Sequence, residues 1–146
     1  MKTPLESMLS IKRWEEDEAK NLFAVAKKDL DEREERLANL EDNFSVLREK
    51  TRNSGKDAIT IDEIQKQNGH MEHLFRLLQS QKASVEASKK RLDETMQILA
   101  VAAKERKTYE KVDERHKETE LGEMKKKEQR GIDEHAVMRH KKHYGE

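Results

Sequence analysis

The chain has no cysteine, a single proline at position 4, only 5 glycines, and aromatic residues at 4% of its length. Missing thiols exclude disulfides and all cysteine-based metal or redox chemistry, and they fit a reducing cytoplasm. With proline confined to the start and glycine sparse, long stretches contain nothing that would break a helix. A hydrophobic fraction of 33% with so few aromatics is too little to fill a compact core of 146 residues. An excess of one charge is lacking too, because 31 basic and 31 acidic residues cancel. That balance removes the general attraction a nucleic-acid partner would need, and none is expected. The longest apolar run, Ile98 to Ala103, falls far short of the roughly 20 residues of a membrane span, and no signal-peptide pattern opens the chain. A soluble protein without direct membrane insertion is expected.

What the chain has in quantity is charge, 42% of all residues, with apolar side chains set among it at regular intervals. Phe23, Leu30, Leu37 and Phe44 recur every seven residues, Ala19, Ala26, Leu40 and Leu47 fall between them, and Arg33 interrupts. This is a coiled-coil seam, too narrow to bury itself without a partner helix. A second seam supplies one: Ile64, Met71, Leu78, Val85, Leu92 and Leu99 at sevenfold spacing, with Leu74, Phe75, Met96, Ala102 and Ala103 between.

Thr3, Pro4 and Glu6 form a capping box that starts the first helix, and Asn53, Ser54 and Gly55 form its stop signal, with Gly55 near the C′ position. Thr60 and Glu63 repeat the box, and Ile59 and Ile64 stand where a hydrophobic staple would clamp the entry. Two helices joined by so short a connection are antiparallel neighbours. The expected fold is therefore all-α, a long two-helix antiparallel coiled-coil hairpin in one elongated domain spanning 1–146. Its first helix covers about 4–53, its loop about 54–59, its second helix about 60–135, and a frayed tail 136–146.

Folding back at the loop places Phe44 opposite Met71, Leu37 opposite Leu78, Leu30 opposite Val85, Phe23 opposite Leu92 and Ala19 opposite Met96. The same rule sets Arg33 against Gln81 and Lys82, a polar layer that holds register at some cost in stability, so Arg33→Leu is expected to stabilise. Leu5 then meets the neighbourhood of Tyr109, and residues after about Val112 overhang the first helix without a partner. Leu121, Met124, Ile132, Ala136 and Val137 are loosely spaced in this overhang, and Gly122 and Gly131 weaken it.

Several of these residues resemble the flagellar export protein FliJ family, which is similar in turn to the YscO-type stalk proteins of virulence type III secretion. The opening pattern of Leu5, Leu9, Glu16, Asp17, Ala19, Ala26 and Leu30 resembles the family's. So does the ending, with Lys111, Glu118, Glu128, Gln129, Asp133, Glu134 and Ala136. The resemblance implies a non-enzymatic stalk, similar in architecture to the two-helix coiled coil of the rotary ATP synthase gamma subunit. It implies that the open end enters the pore of a hexameric export ATPase and promotes its assembly and activity, and that the loop half meets the cytoplasmic domain of the membrane export gate protein. Export chaperones are implied as further partners, and the implied location is cytoplasmic, peripheral at the cytoplasmic face of the gate.

On that resemblance the ATPase-contact candidates are Met8, Ile11, Trp14 and Glu16 in the first helix, with Arg106, Tyr109, Leu121, Met124, Gln129, Asp133 and Glu134 in the second. The gate-contact candidates are Arg36, Leu40, Asn43, Leu47, His70, Leu74, Phe75, Leu77 and Gln81. Leu40, Leu47 and Leu74 also belong to the seams, while Phe75 and Leu77 lie beside them, where exposed apolar side chains point to a docking patch. Asn43 and His70 stand where the family tends to be aromatic.

Catalytic chemistry finds no footing in the sequence. There is no glycine-rich phosphate loop or nucleophile arrangement, and a two-helix hairpin encloses no cleft in which a carboxylate pair could work. No enzymatic activity, cofactor or metal is expected. His70 with His73, and His140 with His143, read as polar helix surface, and the basic run Arg139 to His143 as a solvated tail. The competing reading is a coiled-coil adaptor or homodimeric scaffold outside the export system.

Overall fold

The computed structural model describes residues 3–55 and 59–144, without the side chains of residues 143 and 144. The middle of the expected loop, the two outermost residues at each terminus and the side chain of His143 thus lie outside the described residues. Those described form two helices and no strand: α1, Pro4–Ser54, of 51 residues, and α2, Ile61–Tyr144, of 84 residues.

Local chemistry sets the helix starts. The Glu6 amide donates to Thr3 Oγ1 at 3.1 Å while the Thr3 amide donates to Glu6 Oε2 at 3.3 Å, so the first capping box is closed in both directions. At the second start the Glu63 amide donates to Thr60 Oγ1 at 3.3 Å. The first helix ends where expected but by other means. Ser54 Oγ donates to the Lys50 carbonyl, the Gly55 amide donates to the Thr51 carbonyl, and no described glycine has a positive φ. Gly55 is therefore not a left-handed cap.

The chain divides into two compact units, one formed by Asp17–Val101 and the other by the chain's two ends, up to Glu16 and from Ala102 onward. In the first, α1 and α2 pair as an antiparallel coiled coil. Ala19, Ala26, Leu30, Leu78 and Val85 are buried, and Phe23, Leu37, Leu40, Phe44, Met71, Leu74, Leu92 and Leu99 are half-buried. The α2 seam includes polar residues that apolar spacing alone passes over: Gln81, Ser88 and Thr95 are buried at successive sevenfold steps. Met96, expected in the seam, is 49% exposed, because Thr95 takes the inward position.

The register also differs from the expected pairing. Asp29 meets Ser88, Arg33 meets Ser84 as well as Gln81, and Phe44 sits 6.4 Å from Phe75 between ring centroids. Arg33 with Gln81 is as expected, and the other contacts are displaced roughly half a turn to a turn along α2. In an antiparallel pair the two repeats run in opposite directions, so a seven-residue position of one strand lies level with the intervening position of the other. Ser88 and Thr95 thereby take inward positions on α2, which a search for apolar partners cannot anticipate.

Arg33 forms a complete polar layer. Its guanidinium pairs with Asp29 at 3.0 Å and donates to the Ser84 carbonyl at 3.0 Å. Gln81 Nε2 donates to the Arg33 carbonyl at 2.9 Å, and Ser88 Oγ donates to Asp29 at 3.0 Å. Lys82, expected opposite, is exposed. Because the Arg33 side chain remains 38% exposed and its bonds are made, replacing it gains less than an apolar seam position would suggest. Arg33→Leu should change stability by less than about 1 kcal/mol in urea unfolding.

In the unit of chain ends, α2 stays helical through Gly122 and Gly131 to Tyr144, past the expected frayed tail from residue 136. Each glycine costs the helix only about 1 kcal/mol relative to alanine, and no proline interrupts it. Of the described residues, no helix is long and apolar enough to cross a membrane.

Candidate functional site

The unit of chain ends is paired through charge. Glu16, 6% exposed, accepts a hydrogen bond from Arg106 Nε at 2.6 Å, and Arg106 Nη1 donates to Glu110 at 2.8 Å. Lys12 Nζ reaches Glu105 at 3.0 Å and Glu15 at 3.2 Å, and lies 5.6 Å over the centre of the Tyr109 ring. Arg13 pairs with Glu110 at 3.6 Å, and the buried Asp113 accepts from Lys117 at 3.0 Å. The bonds from Lys12, Arg13 and Glu16 hold α1 against α2 between Glu105 and Glu110, with Leu9 and Ala102 buried beside them and Asp113 buried one turn farther on.

The electrostatics follow from those bonds. Hydrogen bonds to Glu105 and then Glu15 raise the Lys12 pKa, the bond to Glu16 raises that of Arg106, and the bond to Asp113 raises that of Lys117. Stability from a raised lysine is fully present below its unfolded pKa and lost only as pH rises through the folded value, so these lysine contacts persist across the neutral range.

Seen against this network, the ATPase-contact candidates fall into two groups. Glu16, Arg106 and Tyr109 hold the pairing, with Glu16 enclosed in the seam. Met8, Ile11 and Trp14 are 40%, 49% and 63% exposed on the same unit. Leu121, Met124, Gln129, Asp133 and Glu134 all lie exposed on α2 beyond Lys117, where Gln129 donates to Asp133 at 3.1 Å. Lys12, Glu105, Glu110 and Asp113 were not among the candidates. Counting sevens through charged residues as well as apolar ones would have put Lys12 and Asp113 in the seam.

The gate-contact candidates all lie in the other unit. Arg36, Asn43, His70, Phe75 and Leu77 are exposed, and Leu40, Leu47 and Leu74 are half-buried in the seam. Gln81 is buried, committed to the Arg33 carbonyl. Phe44, Met71 and Phe75 line an open apolar groove flanked by Glu72 and Arg76. Such a groove accepts an apolar side chain from another protein and is too open to shield a reaction from water. No group of three or more potential metal ligands converges among the described residues.

Comparison with known proteins bears on both units. The sequence pattern of the family described as flagellar FliJ protein matches residues 1–144. A solved structure described as that of a YscO homolog from Chlamydia trachomatis superimposes with a TM-score of 0.73 at 23% identity. The match covers 100% of this chain and 99% of that one, and it shows a shared fold. No curated protein sequence matches.

Proposed function

Because the chain belongs to the flagellar FliJ protein family, we propose that it is a non-enzymatic stalk of the flagellar type III export apparatus. The unit of chain ends enters the pore of the hexameric export ATPase and promotes its assembly and activity. The hairpin unit meets the cytoplasmic domain of the export gate protein, and export chaperones are further partners. This work is done in the cytoplasm, at the face of the gate.

Besides the family match, the observation that carries the reading is the stretch of α2 beyond Lys117. It is helical, almost wholly exposed, and not covered by α1, yet it carries Leu121, Met124 and Ile132 on its surface. A lone helix of that composition gains stability by lying inside another protein. Met8, Ile11 and Trp14 add apolar contact area from α1. In the hairpin unit, Phe75 and Leu77, with Arg36, Asn43 and His70, form the exposed part of the gate contact. Glu16, Arg106 and Gln81 keep the two helices in place.

ATP hydrolysis by the hexameric export ATPase, measured with and without the chain, tests the reading. The full chain should raise the rate, and a variant ending at Lys117, checked for retained helix by circular dichroism, should not. A rate indifferent to the full chain, or raised equally by the truncated one, would overturn it.

A further inference from the structure

Farther along the side of the hairpin unit that carries the gate-contact residues Arg36, Asn43, His70 and Leu77 stand four exposed apolar side chains. Arg33 ties Asp29 of α1 to Ser84 of α2, so those two residues mark one side of the pair. One sevenfold step back along α1 from Asp29 is Leu22, and two steps on along α2 from Ser84 is Ile98. Val25 and Val101 lie one turn beyond them on the same faces. Leu22 is 47% exposed, Val25 66%, Ile98 51% and Val101 57%. Together they expose an apolar area on the order of a few hundred Å², the size at which a patch on a single chain is usually an interaction site.

We propose that this flank binds a second copy of the same chain, side by side about a two-fold axis parallel to the helices. The charges around the patch select this occupant. Such an axis sets α1 of one copy against α2 of the other at the same level, which brings Leu22 against Ile98. It also brings Lys28 toward Glu94, Asp29 toward Arg91 and Glu32 toward Lys90 of the second copy, an opposite charge at each step. Lys28, Glu32, Lys90, Arg91 and Glu94 have no ion-pair partner among the described residues. The patch is well below the roughly 800 Å² per partner of a stable interface, so the dimer is weak and separates on dilution. The same sevenfold rows run on into Arg36 and Asn43 of α1 and Leu77 and His70 of α2, so the dimer and the gate contact share one side of the hairpin, but self-association is read with this chain alone and fails or holds separately from the stalk reading.

Sedimentation of the full chain from the low micromolar to the submillimolar range tests it. Wild type should shift from monomer to dimer with concentration, and Ile98→Glu should remain monomeric. Lys28→Glu and Glu94→Lys should each weaken association about tenfold, since each puts like charges face to face. An equimolar mixture of the two variants should recover dimer, because unlike charges then meet at both symmetry-related contacts. No intramolecular effect gives that recovery, and circular dichroism checks that each variant stays helical. A chain that is monomeric throughout, charge variants that associate like wild type, or a mixture without recovery would each overturn the proposal. A monomer whose Ile98→Glu variant instead loses an export partner would assign the flank to that partner, and self-association would fall.

Discussion

Leu30→Ala should lower the stability of the hairpin unit by about 2–4 kcal/mol, the cost of deleting most of a buried leucine from a seam that cannot close the gap. Leu30 is 8% exposed and lies beside the Asp29 to Ser88 contact, where α2 offers a small polar side chain and no spare apolar bulk. A pair of helices has no further layer to slide into the space. A domain is stable by only about 5–15 kcal/mol, so this is a large fraction of the total. Urea unfolding followed by circular dichroism should show a lower midpoint with an unchanged slope. A loss under about 1 kcal/mol would mean that Leu30 is not central to the seam.

Glu16→Ala should open the unit of chain ends. Its carboxylate is the enclosed acceptor for Arg106, whose other nitrogen is held by Glu110. Removing it leaves a guanidinium inside the seam with its main partner gone, which is worse than having neither group. Amide exchange in Pro4–Glu16 and in α2 from Ala102 to Lys117 should accelerate about tenfold or more, while Asp17–Val101 changes little. Glu16→Ala combined with Arg106→Leu should restore part of the protection, since no charge is then stranded. Uniform acceleration through both units would show that the pair is not a local clasp.

Much of the fold could be read before any coordinates, and the places where reading stopped are specific. Helix starts at Thr3 and Thr60 are local chemistry, decided within three residues: the first capping box closed in both directions, and at the second the Thr60 side chain caps the Glu63 amide. The apolar sevens of each strand led to two helices and their antiparallel sense. They set Gln81 opposite Arg33 but did not lead to Ser88 and Thr95, since burial of a polar side chain depends on what stands across from it. Register went astray for the same reason. Matching apolar to apolar is an energetic rule of thumb, while the level at which two antiparallel strands mesh is geometric.

For the candidate contacts the division is similar. Exposed Trp14, Phe75 and Leu77 stood out because large apolar residues off the seam are conspicuous among charges. Glu16 and Arg106 look like surface residues by type, and only the partner helix shows them as groups that hold the pairing. The flank around Leu22 and Ile98 passed unnoticed because its halves lie far apart in the chain and meet only when the helices are paired.

The sequence by itself determined helix, partner-seeking seams, strand direction and an overhanging second helix, because each follows from spacing along one strand or from the lengths of two. Tertiary structure alone decided which residues share a level, which charges are enclosed and which apolar side chains stay in water. Those are properties of pairs, and a pair acquires its energy only when both members have been brought to the same place.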